Sequence, residues 1–354
     1  MPDSLRRLRS IRLANVPLKE KTARLALVGG ETLLGRELQE VLESRTGAKI
    51  SAYGSSAEGS FGEQEGEAVY LEPLNAQSAR DDVAILIAGS RDGAMKAYDI
   101  AKSAGGHPVV IDCTGHLENQ SEARLIAPLL LDPSGVENWL LVIAHPAASA
   151  GAIVLNRLAR HRRIRRSILH IFEPASERGK RGITELHQQT TSLLSFKPLD
   201  KEVFDAQVSF NLLSQYGEEA TAKLSGIEER IERNLAMMLE RESGRGGAPM
   251  PSLRVVQAPI FHGYSISAWV EFEEDITAEE LGEALASAQI EVRGPLDAAP
   301  DAVGAAGQSG LIAGDIRIDR NNARAAWFWV VADNLRLTAD AAAEIVGSLV
   351  RDRQ

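Results

Sequence analysis

Short apolar runs alternate with amphipathic stretches through the first 145 residues. Strands are predicted at residues 24–28, 48–53, 68–71, 83–88, 109–112 and 139–144, helices at 36–44 and 93–104, and a looser stretch at 122–130. Apolar strands separated by amphipathic helices imply a parallel sheet covered on both faces, the layout of a nucleotide-binding fold. After Ala147 the pattern changes. A helix at 147–160 precedes a strand-like segment at 164–172, helices at 180–194 and 218–241, and strands at 253–260, 264–272, 311–318 and 325–331. A final helix at 339–351 is expected to return to the first half, and the intervening residues form an α+β unit with a mostly antiparallel sheet. Loops are expected at 242–251 and 295–310, where glycine, proline and alanine concentrate. The predicted organisation is a flexible basic arm at 1–23, a Rossmann-like dinucleotide-binding domain at 24–145 completed by a helix at about 335–354, and an α+β domain at 146–334.

Composition narrows the function. A chain of 354 residues suits two domains, and 44% hydrophobic with 25% charged residues is ordinary for a globular protein. The net charge of −10 argues against general nucleic-acid binding, and no apolar run approaches the roughly 20 residues of a membrane helix. One cysteine excludes a disulfide framework and suits a reducing, cytoplasmic location. The basic arm, with Arg6, Arg7, Arg9, Arg12, Lys19 and Lys21, lacks the apolar core of a signal peptide and is read as a solvated tail. The run Arg157, Arg160, His161, Arg162, Arg163, Arg165 and Arg166 is read as cations at a helix C-terminus and on an exposed strand, not as an anion site. Trp327, Phe328 and Trp329 are read as core or interface.

The chemistry centres on LLVIAHPAASAGAIVL, residues 140–155, where a strand breaks at His145-Pro146 and restarts as a helix. Such a turn is where enzymes place a nucleophile, since the unpaired N–H groups and dipole of the helix start lower a thiol pKa. Here it offers Ala147 and Ala148. Ser149 with His145 as base is weaker than Ser149 as a helix cap, because no acid is identifiable to orient the histidine. Cys113, His116, His145 and His262 form only a weak soft-metal set, and no metal is expected. The glycine turn Gly29-Gly30-Glu31-Thr32-Leu33-Leu34-Gly35 lacks the middle glycine of the dinucleotide fingerprint. Thr32 stands where bare backbone would meet a pyrophosphate; its methyl would crowd the ligand and its hydroxyl could donate to it. Ser55, Ser56 and Glu58 follow the second strand with no arginine or lysine beside them, which leaves the cofactor type open.

Eight segments in order, ALVGGETLLGREL, VVIDCTGH, residues 141–155, ELHQQT, SFNLLSQ, VVQAPIFHGYS, GDIRIDR and FWVVADNLR, resemble the aspartate-semialdehyde dehydrogenase family and its non-catalytic paralogues. The resemblance runs from about Arg24 to the C-terminus. It implies a Rossmann-like NADP-binding domain, a dimerisation domain, NADPH-dependent reduction of aspartyl phosphate through a cysteine thioester, and homodimers or homotetramers. It places Gly29, Gly30, Thr32, Leu33, Leu34, Gly35, Ser55 and Asn334 at the cofactor. It also puts Ala148 at the nucleophile, Gln257 at the substrate arginine, Tyr264 at the catalytic histidine and Glu118 at a phosphate-binding arginine, where its charge would repel the substrate. Ile231 and Leu235 fall at a substrate-contacting lysine and glutamate, and Ser176-Glu177-Arg178-Gly179 replaces a Ser-Gly-Ala-Gly turn. The expectation is a catalytically inactive paralogue with a binding, regulatory or structural role and a protein partner; the alternative is an NAD(P)-dependent oxidoreductase with altered substrate or mechanism.

Overall fold

In β1 (Arg24–Val28) and β5 (Ala84–Ile87), Leu25 to Val28 and Ala84 to Ile87 are buried without a break, because both faces of the sheet are covered. The computed structural model describes residues 23–64, 67–133, 137–243 and 247–351, so the arm predicted at 1–23 lies, but for Ala23, outside the described residues. Alternate strand residues separate cleanly. Leu25, Leu27, Ala84 and Leu86 pack with Leu38 and Leu42 of α1 (Leu33–Thr46), whereas Ala26, Val28, Ile85 and Ile87 pack with Ala94, Ala97 and Tyr98 of α2 (Arg91–Ser103). With β2 (Lys49–Tyr53), β6 (Val109–Asp112), β7 (Arg124–Ile126) and β8 (Leu140–Ile143) they form one parallel sheet of order β2-β1-β5-β6-β8-β7.

Two first-half expectations are corrected. The predicted strand at 68–71 does not join the parallel sheet; as β4 (Glu67–Leu71) it pairs antiparallel with β3 (Ser60–Gln64) in a separate hairpin. The stretch at 122–130 contains the edge strand β7, whose three residues are too few to show a period.

The second half opens with α3 (Pro146–His161), β9 (Ile164–Glu173), a 3-10 turn (Ala175–Arg178) and α4 (Gly179–Leu194). Then come α5 (Leu224–Ser243), β10 (Ser252–Gln257), β11 (Tyr264–Phe272), α6 (Ala278–Leu285), β12 (Ile290–Val292), the short α7 (Ala302–Ala305), β13 (Leu311–Asp319), β14 (Asn322–Ala332) and α8 (Asn334–Arg351). Its six-stranded sheet is mixed, in the order β10-β9-β11-β14-β13-β12, with the three inner pairings antiparallel and the two outer ones parallel. The fold is therefore α/β, a Rossmann-like parallel sheet joined to an α+β unit.

Further differences have local causes. The helix predicted from 218 starts only at Leu224, because Gly217 N–H donates to Phe204 O at 3.0 Å and Glu219 N–H to Asp205 Oδ2 at 3.0 Å, holding that segment as a loop. Part of the loop predicted at 242–251 lies outside the described residues, and the loop at 295–310 contains the turn of α7. Helix α6 lies outside the expected elements, although its start is marked in the sequence: Thr277 and Glu280 form a capping box in which each satisfies the other's backbone N–H. The last helix begins at Asn334, close to the boundary expected at about 335 and five residues before the periodic segment at 339–351, capped by Asp333 Oδ1, which accepts from Leu335 N and Arg336 N at 2.9 and 3.0 Å. It lies against α1, with Ala339, Ala342, Ile345 and Val346 in the cluster of Leu25 and Leu38.

Most of the arginine run is tied down by carboxylates. Arg162 pairs with Glu274 and Glu280, Arg163 with Glu273, and Arg165 and Arg166 with the buried Glu271. Trp269 and Trp327 both donate to Asp319 Oδ2, at 2.8 and 3.0 Å, and Phe328 is core. No described helix is long and apolar enough to cross a membrane.

Candidate functional site

Parallel strands with crossover helices put every strand's C-terminal end on one edge, and a cleft of about 1490 Å³ opens there between the two halves. Its first wall is the glycine turn. Gly29 has φ +91°, and a Cβ there would stand 2.5 Å from Gly89 N. Thr32 caps α1: its hydroxyl accepts from Gly35 N at 2.9 Å and points its proton at Gly29 O (2.8 Å) and Ala88 O (3.1 Å). That corrects the expectation of a hydroxyl free for phosphate, since its one proton is held inside the turn. Leu33 and Leu34 line the cleft where the first turn of α1 leaves N–H groups without helical partners. Glu31 reaches sideways, with Oε1 accepting from Ser55 N at 3.0 Å and from Ser60 Oγ, while Oε2 is buried without a partner.

The second wall is the loop after β6. Asp112, fully buried, accepts from Thr114 N, Gly115 N and Leu117 N at 2.8, 3.0 and 2.7 Å, and from Thr114 Oγ1 at 2.6 Å. The loop carries Cys113, whose thiol is pushed up by burial and by Asp112 and so stays protonated. Cys113, His116 and His145 line the cleft and His262 does not; among the described residues no group of three or more metal-ligating side chains is placed to hold an ion.

Next comes the turn into α3. His145, not Ser149, is the cap: its Nδ1 accepts from Ala147 N at 3.3 Å, with Pro146 at the first helical position. Burial, then Arg230 and Arg178, push His145 far below its usual pKa, and its backbone N–H donates to Asn234 Oδ1 at 2.8 Å. Ala148 follows, entirely buried.

Glu118 does not stand as a free negative charge. Its Oε2 accepts from Arg230 Nε at 2.8 Å and its Oε1 from Asn234 Nδ2 at 2.9 Å, so the predicted repulsion of an anion is offset by a cation from α5. Ile231 and Leu235 are fully buried in the core and cannot meet a ligand. Arg230, one residue before Ile231, lines the cleft instead, while Asn234, itself fully buried, joins Glu118 to the His145 backbone behind it. The signal was present in the sequence, because Ile231, Leu235 and Met238 form the apolar stripe and the polar positions must lie beside it.

The fourth wall follows β9. Ser176 Oγ and Gly263 N donate to Asn334 Oδ1 at 3.0 and 3.2 Å, and Asn334 Nδ2 donates to Glu177 Oε1 at 2.9 Å. Arg178 turns inward and pairs with the fully buried Glu173 at 3.1 Å. Gln257 is also occupied: its amide donates to Glu173 O and Ala258 O, both at 2.9 Å, and accepts from Tyr216 Oη at 2.7 Å. Tyr264 is completely buried, its phenol held far above the usual value by burial and by the carboxylates of Glu177 and Glu173. The turn, the Glu118 loop and Asn334 thus meet at the cleft, while Gln257 and Tyr264 lie in the packing behind it.

Burial lifts the Glu173 carboxyl from its ordinary 4.5 to about 7, against the pull of Arg178. A folded pKa above the unfolded one gives stability that is full below 4.5 and lost as pH rises through 7. Over that window the native protein should therefore lose on the order of 2–3 kcal/mol relative to Glu173→Gln. Urea unfolding of both proteins at several pH values measures this, and a pH-independent difference contradicts it.

The cleft is cationic in an acidic protein. Arg36, Arg91, Arg178, Lys180, Arg181, Lys223 and Arg230 line it against Glu31, Glu177 and Glu202. Sequence order hid this, because the cations come from five separate segments.

Comparison with known proteins agrees with this geometry. The family described as semialdehyde dehydrogenase, dimerisation domain, matches residues 155–337. An aspartate-semialdehyde dehydrogenase of Rickettsia conorii is 26% identical over 326 residues, covering 89% of this chain and 94% of that one. A USG-1 protein homolog of Pseudomonas aeruginosa is 30% identical over 245 residues, covering 68% and 71%. The solved structure of a probable aspartate-semialdehyde dehydrogenase from Pseudomonas aeruginosa superposes with a TM-score of 0.78 at 26% identity, over 94% of this chain and all of that one.

Proposed function

Because the chain belongs to the aspartate-semialdehyde dehydrogenase family, we propose that it is a member that keeps a nicotinamide-dinucleotide cleft and has lost the thioester chemistry, serving as a binding or regulatory protein. One observation carries the reading: a methyl group, Ala148, stands at the buried start of α3 where the resemblance puts the nucleophile. Losing a nucleophile costs on the order of a millionfold in turnover in a well-studied hydrolase. The surrounding groups point the same way, since Gln257 is bonded within the core and Arg178 is paired to Glu173. The two large anion-gripping arginines of the family pattern have no replacement in kind at Gln257 and Glu118.

The residues present fit a dinucleotide. The N–H groups of Leu33 and Leu34 would take the pyrophosphate at the start of α1, on a turn that Gly29, Gly30 and Gly35 keep tight behind the cleft wall, with Ser55 on the adenosine side and Asn334 with Ser176 on the nicotinamide side. Thr32 acts on the turn rather than on the ligand. The dinucleotide supplies hydride transfer when bound; the cationic wall supplies charge complementarity for its phosphates. We assign dinucleotide binding to residues 24–145 with the terminal helix and self-association to 146–334; the dimerisation-domain match supports a homo-oligomer, dimer or tetramer. A second reading, an oxidoreductase with another substrate, is favoured by the size and charge of the cleft.

Titration with NADH and NADPH, together with an assay of phosphate-dependent oxidation of aspartate semialdehyde, tests the proposal. Binding without turnover is expected, at less than about a millionth of ordinary enzyme rates. Ala148→Cys stays inactive, because the anion-binding groups are missing as well. Ordinary turnover in either protein overturns the inactive reading, and absence of nucleotide binding overturns the cofactor reading.

A further inference from the structure

We infer that the dinucleotide this cleft selects is NAD(H) rather than NADP(H), and that Glu31 makes the choice. The inference rests on the dinucleotide-binding reading above and adds to it the identity of the ligand. In nucleotide-binding sheets of this kind the end of the second strand meets the adenosine ribose, where an acid accepts from the 2′-hydroxyl or cations hold a 2′-phosphate. After β2 the chain runs Gly54, Ser55, Ser56, Ala57, with neither an acid nor a cation until Glu58. A carboxylate arrives there all the same, from the glycine turn.

Three observations fix it. Glu31 Oε1 takes the Ser55 N–H and the Ser60 hydroxyl, the two donors a 2′-phosphate would otherwise recruit. Its Oε2 is buried, has no partner, and belongs to a residue on the cleft wall, so an acceptor is left for a ribose hydroxyl. The hairpin is built around it, since a Cβ on Gly62 of β3 would lie 2.9 Å from Glu31 Cβ. A phosphate brings nearly two negative charges, and beside this carboxylate it meets repulsion where the hydroxyl of NAD gains a hydrogen bond. The nearby cations do not reverse this. Lys96 donates to Ala57 O at 2.9 Å, and Arg36 and Arg91 are exposed, form no ion pair with Glu31, and suit the pyrophosphate that both dinucleotides share.

Fluorescence titration of the full chain with NADH and with NADPH, requiring no turnover, tests the inference on the native protein and on Glu31→Gln. The native protein should bind NADH at least tenfold more tightly than NADPH. In Glu31→Gln, which keeps the size and removes the charge, NADPH should tighten about tenfold and the gap should close. NADPH binding as tightly as NADH to the native protein overturns the inference and leaves dinucleotide binding standing. A gap unchanged in a Glu31→Gln protein of native circular dichroism also overturns Glu31 as the selector. Binding of neither nucleotide overturns both readings.

Discussion

Gly35→Ala is expected to destabilise the protein by more than about 4 kcal/mol and to abolish nucleotide binding. Helix propensity argues the opposite, since alanine gains up to about 1 kcal/mol over glycine inside a helix. Sterics decide the sign. A Cβ on Gly35 would lie 2.0 Å from Gly29 O, 2.8 Å from Gly29 C and 2.9 Å from Gly30 Cα, all backbone. That backbone has nowhere to go: Gly29 N and Gly30 N donate to Tyr53 O at 2.9 and 3.2 Å, and Thr32 N donates to Gly29 O at 3.0 Å. Relief would mean tearing the turn from β2. Gly226→Ala in α5 is the control, because nothing lies within 4 Å of its Cβ position and it should stabilise slightly. Urea unfolding measures both changes, and a Gly35→Ala protein as stable as the native one contradicts the packing of the turn.

Gln189→Leu is expected to cost about 4 kcal/mol. The side chain is fully buried on α4, donates from Nε2 to Glu185 Oε1 at 3.3 Å, and satisfies four backbone groups: Oε1 accepts from Val208 N and Ser209 N at 2.8 and 3.2 Å, and Nε2 donates to Asp200 O and Ala206 O at 2.7 and 3.0 Å. Leucine of similar size would leave those four groups unpaired, each at a cost of about 1–3 kcal/mol offset in part by its apolar gain. Glu185, one turn earlier, holds Val203 N and Phe204 N in the same way. The loss should be local, so amide hydrogen exchange across residues 200–209 should accelerate before global unfolding changes. Unchanged protection there would show that the segment is held by something else. The ELHQQT motif thus has a structural reading, a polar comb on one helix that shapes the chain after it.

Much of the architecture was legible in the residues. Leu25 to Val28, Val109 to Asp112 and Tyr264 to Phe272 are continuous apolar or alternating runs long enough to show their period, and each forms the strand expected of it. Thr32 at the head of α1 and Thr277 with Glu280 at α6 are caps that a sequence displays openly, although only the first precedes an expected helix. Short elements escaped. The three residues of β7 and of β12 carry too few positions for a pattern, and they exist because a neighbouring strand offers hydrogen-bond partners.

The candidate site divides along the same line. That Ala148 follows a strand-to-helix turn, and that Gln257, Tyr264 and Glu118 differ from the family pattern, can be stated from residue order alone, because identity at a position is local information. What those side chains touch is not local. Glu118 and Arg230 are 112 residues apart and form one ion pair, Ser176 and Asn334 are 158 apart and share a hydrogen bond, and Glu31 meets Ser55 from the far side of α1. By itself the sequence determined the α/β class, the strand-to-helix turns and the missing thiol, since each follows from short-range periodicity, backbone sterics and residue chemistry. Only the tertiary structure decided that Glu118 is neutralised, that Gln257 is bonded into the core, and that a chain of net charge −10 brings seven cations from separate segments to one cleft. Coulomb and hydrogen-bond energies depend on distance in space, and that distance is set by the packing of elements remote in the chain.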